Sequence, residues 1–452
     1  MFRRASVALL LAVVALAGCE ADAGPTPEPD ESPSPTAAEP DRTLDFAVFG
    51  SEDELTAYES LVGVYNSLYD GAQMTMTGYT SREELMGEMR ETGEVPDVFL
   101  AAHRDLAWLQ EKQLLQPVDS MLIERGLDFG DLYSRDALLA YSSDSRLQCM
   151  PVGVSPMVLF YNTDLVDFEA MTARGLPAPA EGLGWNFEQF VAAVEFASRP
   201  RGDTRGIHVD PTVRDLAPFI YSAGGEVFDN GDQPTSLAFS EDGTRDALET
   251  VLEVLRDPRL TLSEKQLQQH SPLEWFKRGK LGMLPGFREL VPHLRTVPGL
   301  EFDVIPMPSI DRSATIANLT GMCLSADTGN VTAAADFLVH MTSPVSVRRL
   351  VSTGHLVPAN LEVALSDDFL QPGREPLHSQ VFTNTVRTIV LPPLLDNWAA
   401  LEDVVAHSLE TLLTAPVLAD LEALTTRIDE QSQTVLRPPE EEETEDPESE
   451  SP

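Results

Sequence analysis

From Thr43 onward the chain alternates short apolar runs with amphipathic stretches, and no other feature constrains its fold as much. "TLDFAVFG" has the composition of a buried strand. "EDELTAYESLVGVYNSLY" follows with Leu55, Tyr58, Leu61, Val62 and Tyr65 at the three-and-four spacing of one helix face. "AQMTMTGY" alternates as a strand does, and "SREELMGEMRETG" predicts a helix opened by a Ser81–Glu84 capping box. "PDVFLAA" is a short buried strand, and "RDLAWLQEKQLLQPVD" predicts a helix that stops before Pro117. Strand, helix, strand, helix, strand is the order of an α/β fold, and parallel sheets are expected.

The pattern continues to the C-terminus. "NFEQFVAAVEFAS" and "EDGTRDALETVLEVLRD" predict helices, "LGMLPG" and "FDVIPMP" strands, and "NWAALEDVVAHSLETLLTA" with "LADLEALTTRIDEQSQTVL" a helical hairpin. With 452 residues, 42% of them apolar, the chain exceeds what one core usually organises, so two lobes are expected.

The N-terminus stands apart. Arg3 and Arg4 precede "ASVALLLAVVALAG", an apolar run too short for a comfortable membrane span, and residues 1–18 therefore predict a secretory signal. Residues 19–42 carry six prolines and no aromatic residue after Cys19, the composition of an extended tether. At the other end, residues 437–452 form an acidic tail. The formal net charge is -42, and the chain between these ends stays strongly acidic, a surface that repels nucleic acid and anionic headgroups. Beyond the leader no stretch predicts a membrane helix.

Catalytic signatures are missing from the sequence. It holds no G-x-S-x-G elbow, P-loop, H-E-x-x-H or G-x-G-x-x-G, and its eight histidines are scattered singly. The paired glycines of "YSAGGEVFDNGD" follow a helical stretch, where a turn is expected and a phosphate loop is not. Neither a cofactor nor a metal site is expected.

Several landmarks in sequence order resemble the family 1 extracellular solute-binding proteins, the lipoprotein or periplasmic receptors of ABC sugar importers typified by the maltose-binding protein. "LAGC", Leu16 to Cys19, resembles the lipobox, which implies a lipid on Cys19. "PDVFLAAHRDLAWLQEKQLLQPVDS" is similar to the family's P-D strand and following helix, "MPVGVSPMVLFYNTDL" to its strand ending in Y-N-x-D-L, and "GLPAPAEGLGWNFEQFVAAV" to the segment after it. "FKRGKLGMLPG" and "AAADFLVHMTSPVSVRRLVSTGHLVPA" match two later landmarks.

The resemblance implies a two-lobed type II periplasmic-binding fold, with crossing strands as hinge and a ligand cleft between lobes. The expected boundaries are 43–153 with 322–375 for the N-terminal lobe and 154–321 with 376–436 for the C-terminal lobe. It further implies a receptor without catalytic activity, a monomer held by lipid at the extracellular face of the bacterial cytoplasmic membrane, that delivers a sugar or polyol to the membrane subunits of an ABC permease. Other readings stay open: a binder of a charged or phosphorylated small molecule, a surface glycosidase, or a sensor using the same fold.

Ligands of open α/β sheets bind beyond the carboxyl ends of strands. The expected contacts are therefore Gly50, Ser51 and Glu52 after the first strand, His103 and Arg104 after "PDVFLA", and Ser155 at the crossover. Arg214, Tyr221, Phe287 and Arg288 are expected from the facing loops, and Trp398 as an aromatic platform. Ser51 could equally be a helix cap, and Trp185 is expected to pack a helix onto the sheet. The prolines of "CMPVGVSP" would bound the crossover, which would put Cys149 at the hinge beside Cys323 of the returning strand, either as a disulfide or as two buried thiols.

Overall fold

The computed structural model describes residues 43–437 apart from 128, 131, 181–183, 200 and 201. The leader, Cys19, the tether and the acidic tail from residue 438 lie outside the described residues.

Twelve strands occur among the described residues: β1 (Thr43–Phe49), β2 (Gln73–Tyr79), β3 (Val98–Ala102), β4 (Leu115–Gln116), β5 (Ser142–Ser143), β6 (Arg146–Leu147), β7 (Cys149–Pro156), β8 (Val158–Asn162), β9 (Arg205–Ile207), β10 (Leu281–Gly286), β11 (Phe302–Pro306) and β12 (Ala317–Ser325). The first sheet has the order β2-β1-β3-β12-β4, with β7 also pairing β12. The second has the order β11-β8-β10-β9. The sheets are mixed where parallel ones were expected: β1 runs parallel to β2 and β3, but β12 is antiparallel to β3, β4 and β7. In the second sheet only β9 and β10 are parallel. The cause is the crossover, since β7 leaves the first sheet as β12 returns to it, and paired strands that exit and return must run opposite ways.

Those directions decide where a ligand can sit. β1, β2 and β3 end on the side where β7 ends and β12 begins, and β9 and β10 end toward the same crossing, as the register of Gly286 with Val158 requires. The loops after all five strands therefore converge.

Packing follows from alternation. On β8 every residue is buried; Val158 and Phe160 enter one core with Phe276 and Phe302, while Leu159 and Tyr161 enter another with Phe190 and Leu409. The second sheet is thus covered on both faces. On one face of the first sheet Phe46 packs edge-on against Tyr58 and Phe337, and register puts Phe99 and Cys323 on the other face.

Three local expectations differ from the structure. The helix expected up to Pro117 ends at Glu111, because Gln113 turns at φ 56° and Leu115–Gln116 then pairs with the open edge of β12. At Ser81 only half the capping box forms: its Oγ accepts the Glu84 N–H at 3.2 Å, but the Glu84 carboxylate takes the N–H and hydroxyl of Thr80, both at 2.9 Å. The complete box is at Ser51 and Glu54, on the helix Glu52–Leu68. Residues 344–375, expected in the N-terminal lobe, touch both cores: Leu350 and Ala359 belong to that of the first sheet, while Val347, Val351, Val357 and Phe369 pack with Phe160 and Phe302 on the second.

Cys149 and Cys323 are register partners of β7 and β12 and are joined by a disulfide, Cα–Cα 4.3 Å. Both are fully buried in the core of the first sheet. Cys149 opens β7, whereas the crossing is at the other end, where Pro156 pairs Ala317 and Met157 donates to Ile316 O. The thiol expected at the hinge thus lies a full strand away from it.

Candidate ligand-binding cleft

The converging loops enclose a cleft of about 330 Å³. Phe49, Arg82 and the segment Ala102–Arg104 line it from the first sheet, and Arg214, Tyr221 and Phe228 from the second. Asn318 comes from the crossing strand and Trp398 from the first turn of the helix Trp398–Thr414.

One wall is aromatic. Phe228 and Trp398 stand 5.8 Å apart between ring centroids, tilted by 56°, and Tyr221 is buried beside them. Burial raises the Tyr221 phenol far above its ordinary value, so it stays a neutral donor and acceptor.

The rest of the lining is charged and internally engaged. Arg82 grips the fully buried Asp105 through Nε at 2.8 and 3.0 Å and through Nη2, and it reaches Glu83 at 2.9 Å. Asp105 also accepts the Ala102 N–H at 2.8 Å, which fixes the end of β3. Arg104 pairs with Glu83 at 2.9 Å. Arg214 donates from Nη2 to Asn318 Oδ1 and lies over the Phe287 ring, 4.6 Å from its centroid. Its helix, Val213–Ser222, begins under the Glu402 carboxylate, which accepts N–H groups of Val213 at 3.1 Å and Arg214 at 3.3 Å. Burial nevertheless raises Glu402 above the usual carboxylate range, and burial with nearby Asp210 pushes Asp215 up to about 6.

His103 is buried, with its ring set edge-on to Tyr141 at 6.1 Å. Burial lowers its pKa to about 4, so at neutral pH the cleft meets an uncharged imidazole.

The structure brings His103, Arg104, Arg214, Tyr221 and Trp398 together around this cleft. It does not bring the other expected contacts there. Gly50, Ser51 and Glu52 line a separate, more open groove with Leu55, Met76 and Gly78, and the Ser51 hydroxyl is engaged with Glu54 at 2.8 Å. Ser155 is buried and accepts the Arg288 N–H at 3.0 Å. Phe287 serves as the floor under Arg214, and Arg288 is wholly buried away from the cleft. Sequence reasoning missed Phe49, Arg82, Phe228, Glu289 and Asn318. The strand-end rule could have found Phe49 and Arg82, which end β1 and follow β2; nothing in the local pattern marks Asn318, inside a strand.

Among the described residues no group of three or more His, Cys, Asp or Glu could hold a metal ion. No helix among them is long and apolar enough to cross a membrane.

A family model described as bacterial extracellular solute-binding protein matches residues 64–373. Among solved structures, the chain resembles an ABC substrate-binding protein from Listeria monocytogenes in complex with cycloalternan, with TM-score 0.72 at 18% identity, covering 87% of this chain and 98% of that one. It also resembles the sugar-binding protein MalE of Xanthomonas citri, with TM-score 0.73 at 16% identity over 87% and 97% of the two chains. The GacH receptor of Streptomyces glaucescens, solved unliganded and with acarbose, gives TM-score 0.69 at 15% identity over 88% and 99%. At such identities the likeness is one of fold, the two-lobed α/β architecture with a cleft between lobes.

Proposed function

This chain belongs to the bacterial extracellular solute-binding proteins, and from that premise we propose that it is the receptor of an ABC importer, capturing an uncharged sugar or polyol in the cleft. The observation that carries the choice of ligand is how the cleft treats its own cations. Arg82 and Arg104 are paired with carboxylates, Arg214 is engaged by Asn318, and His103 is neutral. An anionic or phosphorylated solute would need a free guanidinium fork to compensate its charge. A pyranose needs less: an apolar ring face for Trp398 and Phe228 to stack on, and fixed polar groups to read its hydroxyls. The relatives solved with cycloalternan and acarbose agree with this choice. The receptor releases its ligand unaltered to the membrane subunits of the permease.

A thermal-shift screen over sugars, polyols, sugar phosphates and amino acids tests the reading, because a ligand at a hundred times its Kd stabilises by about 2.7 kcal/mol. A melt raised only by amino acids or peptides would refute it. With the best sugar, Trp398→Ala weakens binding about tenfold or more, chiefly through faster dissociation, and Trp398→Phe recovers most of the loss. Equal losses in both variants would mean that stacking is not what the residue supplies.

The proposal places the protein on the outer face of the cytoplasmic membrane through lipid on Cys19. Wild-type protein then sediments with membranes, and Cys19→Ser leaves it in the soluble or culture fraction. Membrane recovery of both would exclude the anchor.

A further inference from the structure

Asn318 occupies an unusual position for a polar side chain. It lies on β12 at the crossing, in register with Ser155 of β7, and its amide stands between two cleft side chains of opposite charge. Its Oδ1 accepts from Arg214 Nη2, while its Nδ2 approaches both oxygens of Glu289 at 3.4 Å. Arg214 and Glu289 both line the cleft, and no ion pair joins them. Opposite charges along the wall of a narrow cleft attract strongly, and direct pairing is what they would otherwise adopt. An asparagine amide can satisfy both at once, because it offers a carbonyl to the donor and an N–H to the acceptor.

We infer that Asn318 is a positioning residue that holds Arg214 and Glu289 apart, so that both face the ligand instead of each other. The surrounding contacts support the division of labour. Arg214 is held at its backbone by Glu402 and on its guanidinium face by Phe287. The loop carrying Glu289 is held through the preceding residue, whose N–H donates to Ser155 Oγ. The crossing strands therefore set both members of the pair: Ser155 fixes the loop behind Glu289, and Asn318 fixes the gap in front of it. Glu289 is itself open to the cleft, and its pKa is raised by the enclosing protein, which a direct guanidinium contact would reverse. Arg214, Glu54 and His293 are the charged or titratable groups that act on it.

Two measurements test the role. In the ligand-free protein, NMR titration of the Glu289 carboxyl, assigned through Glu289→Gln, shows a lower midpoint in Asn318→Ala than in wild type, because Arg214 then pairs with the carboxylate. Asn318→Asp, of the same size, shows a higher one, since its charge repels Glu289 while occupying Arg214. Midpoints that do not separate in these opposite directions overturn the inference. For the best sugar of the panel, Asn318→Ala weakens binding about tenfold in the wild-type background and less than about twofold in the Glu289→Gln background, where no pair can form. Additive losses would likewise overturn it. The inference rests on the sugar-binding reading for its affinity arm alone. A panel without a binder sinks that reading, and the titration still decides this one.

Discussion

Replacing Cys149 and Cys323 together by alanine lowers the free energy of unfolding by about 2–5 kcal/mol and leaves the affinity for ligand within about twofold. The stability loss follows from the length of chain the bridge closes. The two cysteines are 174 residues apart in sequence, so the unfolded chain without the bridge gains conformational freedom worth about 5 kcal/mol in the chain-entropy treatment. Alanine is the right replacement, because both sites are fully buried and a serine hydroxyl would add its own desolvation cost. Unaltered affinity follows from location. The bridge joins β7 and β12 inside the core of the first sheet, and seven residues of extended strand, roughly 23 Å, separate Cys149 from Pro156 at the crossing. Had it clipped the hinge, its loss would loosen the open and closed states unequally and affinity would move with stability. Denaturant unfolding with the m-value fitted separately for each protein, together with calorimetric titration at a temperature where the variant is folded, separates the outcomes. An affinity change of tenfold or more would return the bridge to the hinge.

That contrast shows which parts of the molecule were legible in its sequence. The strands and helices were, because a buried strand such as β8 and an amphipathic helix such as Glu52–Leu68 each impose a period that survives without any tertiary information. The crossover was legible through the two prolines of "CMPVGVSP", which do mark β7, but position along that strand was not: a fold family fixes which strands cross and leaves the register of a cysteine open. Strand direction was misjudged for the same reason, since local pattern cannot show that β12 returns antiparallel to β3. Helix caps were ambiguous because Ser51 and Ser81 present the same S-x-x-E spacing, and only the competing hydroxyl of Thr80 decides which box closes. The helices after residue 344 could have packed on either sheet by their apolar faces alone, and Pro344–Val351 packs on both, through Leu350 on the first and Val347 and Val351 on the second.

Within the cleft, the strand-end rule located His103, Arg104 and Arg214, but their electrical state could not be read. Whether an arginine is free to meet a phosphate depends on Asp105, Glu83 and Asn318, which come from other strands and helices. Of the cationic side chains expected at the cleft, Arg104 is engaged by a carboxylate, Arg214 by the Asn318 amide, and Arg288 lies buried elsewhere. Two lining side chains remain without an ion-pair partner, Arg214, whose guanidinium meets the neutral Asn318 amide, and Glu289, whose carboxylate can accept hydroxyl hydrogens.

Arg288 carries the same lesson to its limit, and its replacement by methionine is expected to destabilise the protein by about 3 kcal/mol, without the selective loss of affinity that a ligand contact would produce. The side chain is wholly buried and pairs with no carboxylate among the described residues. Its charge is instead spread over three acceptors, with Nε on Gly354 O at 3.0 Å, Nη1 on Ser379 Oγ at 3.2 Å and Nη2 on Phe369 O at 3.3 Å. The guanidinium also lies over the rings of Phe369 and Phe382, at 4.7 and 5.2 Å from their centroids. Burial, with Arg295 and Arg374 nearby, pulls its pKa down to about 9, which still leaves a cation at neutral pH. Methionine fills much of the volume and removes the buried charge, so the loss comes from stranding the two carbonyls, at about 1–3 kcal/mol for each group left unpaired, offset by the desolvation that no longer has to be met; the Ser379 hydroxyl keeps its bond to Pro376 O at 3.0 Å. Alanine adds a cavity and costs more. Lysine should do no better than methionine, because a single ammonium cannot reach three acceptors placed for a planar fork. Chemical unfolding of the three variants against wild type gives the ranking. Binding measured on the fraction that remains folded then distinguishes the two roles: an Arg288→Met protein of unchanged stability and tenfold weaker affinity would put this side chain back in the cleft, whereas lower stability with near-normal affinity identifies it as the tie between the β10 loop and the helices that follow the crossing.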